Sequence, residues 1–510
     1  MENLPFVKET SRVPLKWPSS PYLADHRFLG KAVLPAVESM ELLATAVKSV
    51  HPGKTAAFLS SIELKRFLPI DGGARIVFAE IQLMENGSLR ALLSSEIKSR
   101  TGAVTRKMEH VSLQFDDRLP SGSIVPLDVA AGLLGIAGRV DRSKLYGEMV
   151  PFGPAYHNAE KVFITEEGAA VYISPAPAPD EERLLGSPFT LDAAFHGACA
   201  WGQSVLQFVG FPVSLKERSV LVPTRSGDHH FARILPTTRG LDHFTADILI
   251  YGMDGTLHES VRGLVMKDIS GGKLAPPAWI ASRSGPGPIE GLEHACDALA
   301  VIELDSIPDF AHETFTMRER DRFRSMGPKR RQSYTGARIA SKRLYRKLQG
   351  SDAALPAHLV ETVNEKSEKP GLFCLPGLLS DPGSDPVNVS VSHDARFAVA
   401  AASHNRIGID VERFHERLVT TRKFYTKDQE NQIIRDYKPG ETHALIRIWT
   451  IKEAVAKALA MTLADSWKQT VVTVIGESES VLFINDKEAI ALHCTVDDHL
   501  FTLIIIGDGE

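Results

Sequence analysis

Several short runs hold side chains spaced for chemistry. Gly408-Ile409-Asp410-Val411-Glu412 follows an apolar run of strand type. Side chains alternate faces along a strand, so Asp410 and Glu412 share one face while Ile409 and Val411 take the other, towards a core. Two carboxylates on one face repel unless water or a cation intervenes. Alone, the pair is either a solvated face or part of a cation site. Downstream, Trp449, Glu453 and Lys457 recur at i, i+4 and i+8 and form one helical stripe with Lys452 beside it. Alone, that stripe is a Glu–Lys helix pair under a tryptophan. Together the pieces have a chemical logic. Asp410, Glu412 and Glu453 supply the oxygen donors that Mg²⁺ takes and shares with substrate phosphates. Lys457 supplies a point charge for a phosphate oxygen. A cation and a lysine bridging a pyrophosphate stabilise the charge that builds on a leaving phosphate. Lys369 beside Pro370 in a polar loop, Ser392-His393-Asp394 at a turn, and Lys329-Arg330-Arg331 at a helix start add groups suited to a nucleotide.

A second constellation lies earlier. His26 opens a HxxxGxxxxP pattern through Gly30 and Pro35, and Asp192 and His196 spell DxxxH. A histidine before a helix is commonly structural, and an aspartate near a helix start is commonly a cap. As a pair they suit β-elimination. A neutral imidazole takes the α-proton of a 3-hydroxyacyl thioester, and a carboxylic acid protonates the departing hydroxyl. Such an aspartate must keep its proton, so a dry pocket that raises its pKa is expected. Backbone N–H groups near Gly30 are candidates for polarising the thioester carbonyl, and His196, one turn on, for orienting Asp192.

The elements that position these residues fall into two blocks. At 510 residues the chain is too long for one core. The stretch GGKLAPPAWIASRSGPGPIE, beginning at Gly271, is dense in Gly, Pro and Ser and divides blocks 1–270 and 296–510 across a linker at 271–295. In the first block, Val37, Met40, Leu43, Val47 and Val50 recur at helical spacing, and the stretch from Ser187 holds another apolar helix. Strand-like runs follow each. One buried helix followed by several strands, twice over, suggests two helix-wrapping sheets side by side. The second block alternates as α+β, with a basic helix or helix pair over 318–348, strands over the runs VNVSVSH, FAVAAAS and IGIDVERF, and a long helix through WTIKEAVAK.

With these residues quoted, two families come into view. GIDVE, WTIKEAVAK, KP and VSHDARFAVA stand in the order of the larger, pseudo-dimeric 4′-phosphopantetheinyl transferases, which 296–510 resembles. That resemblance implies two similar α+β halves with coenzyme A between them and a carrier protein as acceptor. It implies Mg²⁺ on Asp410, Glu412 and Glu453. Glu453 would also be the base for the carrier serine, directly or through a water on the metal, and Lys457 would assist departure of 3′,5′-ADP. Lys369, Ser392 and His393 would bind coenzyme A, and Arg330 its 3′-phosphate. One departure is the run KALAMTL, where a glycine would follow the helix. Residues 1–270 resemble the dehydratase domains of type I polyketide and fatty acid synthases. The run Phe152-Gly153-Pro154-Ala155-Tyr156-His157 and the LDAA context of Asp192 add to the two motifs already quoted. The fold implied is a double hotdog, with His26 as base and Asp192 as acid. Departures are Ala36 and His157, where that family has Gly and Gln.

The domain order resembles the end of iterative polyketide synthases of the enediyne type. Three readings of the first block stay open: a dehydratase, a carrier-docking module without catalysis, or a cyclase like the product-template domains. A homodimer through the dehydratase domain is left open. Leu304-Asp305-Ser306-Ile307 lacks the preceding glycine of a carrier modification site and ends a strand. The net charge of −5 gives no reason to expect nucleic acid or an anionic membrane. Cys199, Cys296, Cys374 and Cys494 form no CxxC pair and read as free thiols, and neither a signal core nor a membrane-length apolar run is seen. A cytoplasmic protein is expected.

Overall fold

The computed structural model describes residues 6–16, 20–70, 76–98, 105–116, 126–174, 183–281, 287, 289–350, 357–362, 373–374 and 387–507. The chain forms two compact units, Met1–Val125 with Gly138–Ser284, and Pro126–Ala137 with Gly285–Glu510.

In the first unit, strands Val7–Pro14 (β1), Phe58–Leu64 (β2), Ile76–Met84 (β3), Leu89–Lys98 (β4) and Thr105–Phe115 (β5) accompany helix Ala36–Val50 (α1). Strands Gly138–Asp141 (β6), Ala159–Thr165 (β7), Gly168–Ile173 (β8), Phe211–Val220 (β9), His230–Arg239 (β10), His243–Gly252 (β11) and Leu257–Lys267 (β12) accompany helix Pro188–Trp201 (α2). All twelve strands join one antiparallel sheet in the order β1-β3-β4-β5-β2-β9-β12-β11-β10-β8-β7-β6. The order is nearly palindromic about the β2–β9 seam. On each side a helix is followed by four strands, of which the first lies at the seam and the last beside it. This is the double hotdog, and the twofold helix-then-strands episode in the sequence is its trace.

The two helices differ in kind. Helix α1 buries Val37, Met40, Leu43, Ala44 and Val47 along one stripe, as an amphipathic helix does. Every residue of α2 is buried, which marks a helix enclosed on all sides. Ser187 caps its start, accepting from Phe189 N–H at 3.4 Å, and Pro188 follows where a missing N–H costs nothing. Asp192 and His196 are therefore carried into a dry interior by the backbone of an apolar helix.

The second unit has two halves. Strand Ala298–Glu303 (β13), helix Pro328–Gln349 (α3) and strands Asn388–His393 (β14) and Phe397–Ser403 (β15) make a sheet in the order β13-β15-β14. Strand Arg406–Arg413 (β16), helix Glu441–Leu459 (α4) and strands Thr470–Ile475 (β17), Glu479–Ile484 (β18), Lys487–Val496 (β19) and His499–Ile506 (β20) make a sheet in the order β16-β20-β19-β18-β17. In both halves the strand preceding the helix pairs antiparallel with the last strand. Helix α4 ends on Ala460 in the left-handed region, φ 53° and ψ 38°, with its N–H turned back to the Ala456 and Lys457 carbonyls. The conformation that glycine would adopt is thus present with alanine in it.

The division of the chain differs from the one expected. Pro126–Ala137 belongs with the second unit. Leu127 and Ala131 lie in a core with Ile302 and Leu344, Leu134 bridges Ile302, and Gly135 N–H donates to the Val301 carbonyl at 2.8 Å. An unpaired strand edge offers free donors and acceptors, and this short segment takes up the free edge of β13. The stretch 271–295 is also packed at both ends. Leu274, Trp279 and Ile280 join the first core, and Ile289 and Leu292 join the second unit's.

Ser306 is fully buried, donating to the Glu303 carbonyl at 2.7 Å and accepting from Leu133 N–H. Among the described residues Cys199, Cys296 and Cys494 are free thiols, and no helix is long and apolar enough to cross a membrane.

Candidate functional site

In the first unit, a cavity of about 550 Å³ is lined by His26, Asp192 and His196 together with Phe28, Phe152 and Phe195. His26 follows the short helical turn Pro21–Asp25 and precedes a two-stranded hairpin, Arg27–Phe28 with Lys31–Ala32. The hairpin turns through Leu29 and Gly30 at φ 47° and 78°, the pair of left-handed residues that a tight hairpin needs. Gly30 is exposed at that tip and does not line the cavity. Gly30 shapes the turn that aims His26.

His26 Nδ1 donates to the Val33 carbonyl at 3.0 Å, which leaves Nε2 with its lone pair in the neutral ring. Nε2 stands 3.9 Å from Asp192 Oδ1. Phe152 stacks on the ring at 4.4 Å and Tyr156 meets it edge-on at 5.1 Å. The Phe152–His157 segment is fastened from behind, because Gly153 N–H donates to the Asp25 carbonyl and Ala155 N–H to Asp25 Oδ2. A Cβ at Gly153 would lie 2.3 Å from Asp25 Cγ, so glycine is required there. His157 Nε2 donates to the Phe152 carbonyl at 2.9 Å, and its ring stacks on Tyr146. Burial drives the His26 pKa below its ordinary value, against the opposing pull of Asp192 and Val33.

Asp192 departs from expectation. Burial pushes its carboxyl up, as foreseen, but the imidazoles of His196 and then His26 outweigh it and the net direction is down. His196 Nε2 lies 3.0 Å from Asp192 Oδ2, off the axis of a well-aligned hydrogen bond; such contacts tighten when substrate fills a site. His110 also reaches the cavity wall, with its nitrogens engaged by Ser95 Oγ and the Arg66 carbonyl.

The second unit gathers the other constellation. Gly408, Asp410 and Glu412 share the face of β16 on which α4 lies. A Cβ on Gly408 would come 1.9 Å from the Ala454 carbonyl oxygen, so glycine lets strand and helix touch, and that contact sets Glu453 and Lys457 beside Asp410. Gly408→Ala should therefore lower stability by about 1–3 kcal/mol, the scale of overpacking. It should also disturb the Asp410–Lys457 contact; unchanged melting by calorimetry would contradict the close approach.

Lys457 Nζ lies 2.6 Å from Asp410 Oδ1, 2.9 Å from Ser392 Oγ and 3.1 Å from the Ile409 carbonyl. Ser392, at the end of β14, also donates to Asp410 Oδ1 at 2.8 Å. One residue from the first half thus meets two groups from the second. Glu412 pairs with His415 at 3.1 Å, and its carboxyl is raised by burial, with Asp410 adding to the effect. Glu453 is pushed up to about 7 by burial and the charge of Asp410, with Lys457 pulling the other way.

Among the described residues no three His, Cys, Asp or Glu side chains already converge as metal ligands. The donor set nevertheless fits a divalent cation. Asp410 Oδ2 is buried without a hydrogen-bond partner, and burial and the charge of Asp410 raise Glu412 and Glu453, with His415 opposing the first and Lys457 the second.

The coenzyme-binding candidates divide. Ser392 and His393 lie at the cluster, and the His393 ring is depressed by burial and then by the charge of Lys457. Lys369 lies outside the described residues. Arg330 is exposed in the first turn of α3 and is not brought to the cluster. Arg338, about two turns further on, is a second cation, after Lys457, that bears on His393, stacking over Tyr334 at 5.3 Å. Sequence reasoning favoured the dense basic run at the helix start. Arg338, which also donates to the Thr362 carbonyl, is partly buried, a difference that no local run of charges reveals. Tyr146 in the first unit was not singled out in the sequence for a similar reason, since it meets His196 only across the fold.

Residues 130–276 match the model of the polyketide synthase dehydratase N-terminal domain, and residues 406–504 match that of the 4′-phosphopantetheinyl transferase superfamily. Asp192 and His196 lie within the first match, and Asp410, Glu412, Glu453 and Lys457 within the second. Over 279 residues the chain is 25% identical to polyketide synthase ThaG of Burkholderia thailandensis. That match spans 51% of this chain and 5% of that protein. Among solved structures, the dehydratase domain from the CurF module of curacin polyketide synthase is 19% identical, with TM-score 0.42, covering 52% of this chain and 96% of that one. The dehydratase domain of RzxB from Pseudomonas fluorescens is 16% identical, with TM-score 0.42, covering 51% and 94%.

Proposed function

From a chain that carries a polyketide synthase dehydratase region and a 4′-phosphopantetheinyl transferase region, we propose two linked activities. The second unit moves the phosphopantetheine of coenzyme A onto a serine of a carrier protein. The first removes water from 3-hydroxyacyl groups carried as thioesters on such an arm. The observation that carries the proposal is the knot of Lys457, Asp410 and Ser392 beside two carboxylates pushed up by burial and by like charge.

In the transfer, the carrier serine oxygen attacks the phosphorus that bears pantetheine. The bond from that phosphorus to the bridging oxygen breaks, and 3′,5′-ADP leaves. Glu453, with its pKa near neutrality, is suited to take the serine proton. Asp410, Glu412 and Glu453 are the residues that would hold Mg²⁺, which when bound neutralises pyrophosphate charge. Lys457 contributes a mobile ammonium for the leaving phosphate, Ser392 and His393 line its seat, and Arg338 replaces Arg330 as candidate for a further phosphate. Lys369 remains part of the proposal on sequence grounds.

In the dehydration, His26 Nε2 takes the α-proton while Val33 holds the opposite nitrogen. The C–O bond breaks with its electron pair, Asp192 delivers a proton to the departing hydroxyl, and water and the enoyl thioester result. Before the reaction His26 must keep Nε2 bare, with its own proton on Nδ1, and Asp192 must carry the proton that is to be transferred. An acyl chain filling the cavity expels water and strengthens the burial that pushes the carboxyl up.

Lys457→Met tests the transferase assignment. If the ammonium stabilises charge on the leaving phosphate, kcat should fall by about 100-fold or more while KM for coenzyme A changes little. A change confined to KM would assign Lys457 to ground-state binding and remove it from the chemistry.

A further inference from the structure

Tyr146 is nearly fully buried and belongs to none of the motifs that carry the dehydratase reading. Its hydroxyl sits between two groups. It accepts the Ala159 backbone N–H at 2.8 Å, with the neighbouring Asn158 N–H acting in the same sense. On its other side stands His196 Nδ1 at 3.1 Å. A backbone N–H can only donate, so the phenol oxygen accepts there, and Nδ1 is the acceptor within reach of its own proton. An imidazole that accepts at Nδ1 carries its own proton at Nε2 when neutral. That nitrogen is the one 3.0 Å from Asp192 Oδ2. The ring of Tyr146 is held in turn by the stacked ring of His157 at 4.3 Å and 11°.

We infer that Tyr146 is a positioning residue that selects which oxygen of Asp192 carries the transferable proton. With the Nε2 proton on the side of Oδ2, 3.0 Å away and brought into line when substrate fills the site, a proton on Asp192 sits on Oδ1, the oxygen that faces His26 Nε2 across 3.9 Å in the cavity. With the opposite tautomer of His196, Oδ2–H would donate to the bare Nε2 and the proton would be held on the side away from substrate. In the reaction the Oδ1 proton goes to the departing hydroxyl and His26 Nε2 receives the α-proton. The protons of Tyr146 and His196 stay where they are throughout. The inference rests on the dehydratase reading for its kinetic consequence, and on the hydrogen-bond chain alone for the tautomer.

The test uses the full chain. Tyr146→Phe keeps the stacked ring and removes the hydroxyl. Long-range ¹H–¹⁵N correlation of ring nitrogens should show neutral His196 protonated at Nε2 in the native chain, and a shift towards the Nδ1-protonated form in the variant. Dehydration kcat should fall by about 10- to 100-fold with KM little changed, the scale expected when a reacting group is misplaced rather than lost. His196→Gln supplies a background in which the donor to Oδ2 has no tautomer to choose, so adding Tyr146→Phe there should cost less than about twofold further. A purely structural role would produce the same additional loss in both backgrounds and would overturn the inference. So would an Nδ1-protonated His196 in the native chain, or an unchanged tautomer in Tyr146→Phe. If the native chain dehydrates no 3-hydroxyacyl thioester while the nitrogen shifts behave as stated, the dehydratase reading fails and the tautomer assignment stands.

Discussion

Asp192→Asn should lower the rate of water loss from a carrier-bound 3-hydroxyacyl thioester by roughly 10²–10⁴-fold, the contribution of a positioned acid, and leave phosphopantetheine transfer unchanged. The amide keeps the size of the side chain and its acceptor oxygen but has no proton to give. His26→Ala should cost a similar factor by removing Nε2, the base whose lone pair Val33 keeps turned to the cavity. Mass spectrometry of the acyl chain, watching for loss of one water, reads both. Equal dehydration by Asp192→Asn and the native chain would remove Asp192 from the acid role. A ring formed with no accumulating enoyl product would favour the cyclase reading, and inertness of the native chain towards several chain lengths would favour a docking module.

The second large effect is expected at Asp410. Asp410→Ala removes the carboxylate that binds Lys457 and Ser392, and with it one of three oxygen ligands for Mg²⁺. A metal ion contributes several kcal/mol to such a transfer, so a loss of about 10³-fold or more is expected. Chelation of divalent cations should stop transfer in the native chain to the same degree. Neither change should touch dehydration, because His26 and Asp192 lie in the other compact unit. Lys457 is about a quarter exposed and can turn to water when Asp410 is gone, so the variant should still fold. Full transfer by Asp410→Ala would sink the metal assignment.

Much of the fold could be read from residue spacing. The stripe from Val37 to Val50 and the wholly apolar run around Asp192 are the two central helices, and the strand-like runs after each are the two arms of the sheet. The face shared by Asp410 and Glu412 followed from strand alternation, and the stripe of Glu453 and Lys457 from helix periodicity. What spacing could not show was how these faces meet. Gly408 looked like part of a motif, but its role is set by the Ala454 carbonyl 1.9 Å from where a Cβ would stand. Pro126–Ala137 is too short to declare its partner, and it goes to the edge of a strand far along the chain. Asp192 was expected to be raised by a dry pocket. The carboxyl is buried, yet the direction reverses because two imidazoles bear on it. The exposure of Arg330 and the partial burial of Arg338 on the same helix were not legible either, because charge density in sequence does not report which helix face is buried.

The most direct test of two chemistries on one chain is the intact mass of an apo carrier protein after incubation with the full chain, Mg²⁺ and a 3-hydroxyacyl-coenzyme A. The carrier should gain one acyl-phosphopantetheine arm lighter by one water. With Asp192→Asn the arm should arrive with its water retained, and with Asp410→Ala the carrier should stay unmodified. A carrier left unmodified by the native chain, under conditions in which another phosphopantetheinyl transferase loads it, would contradict the account.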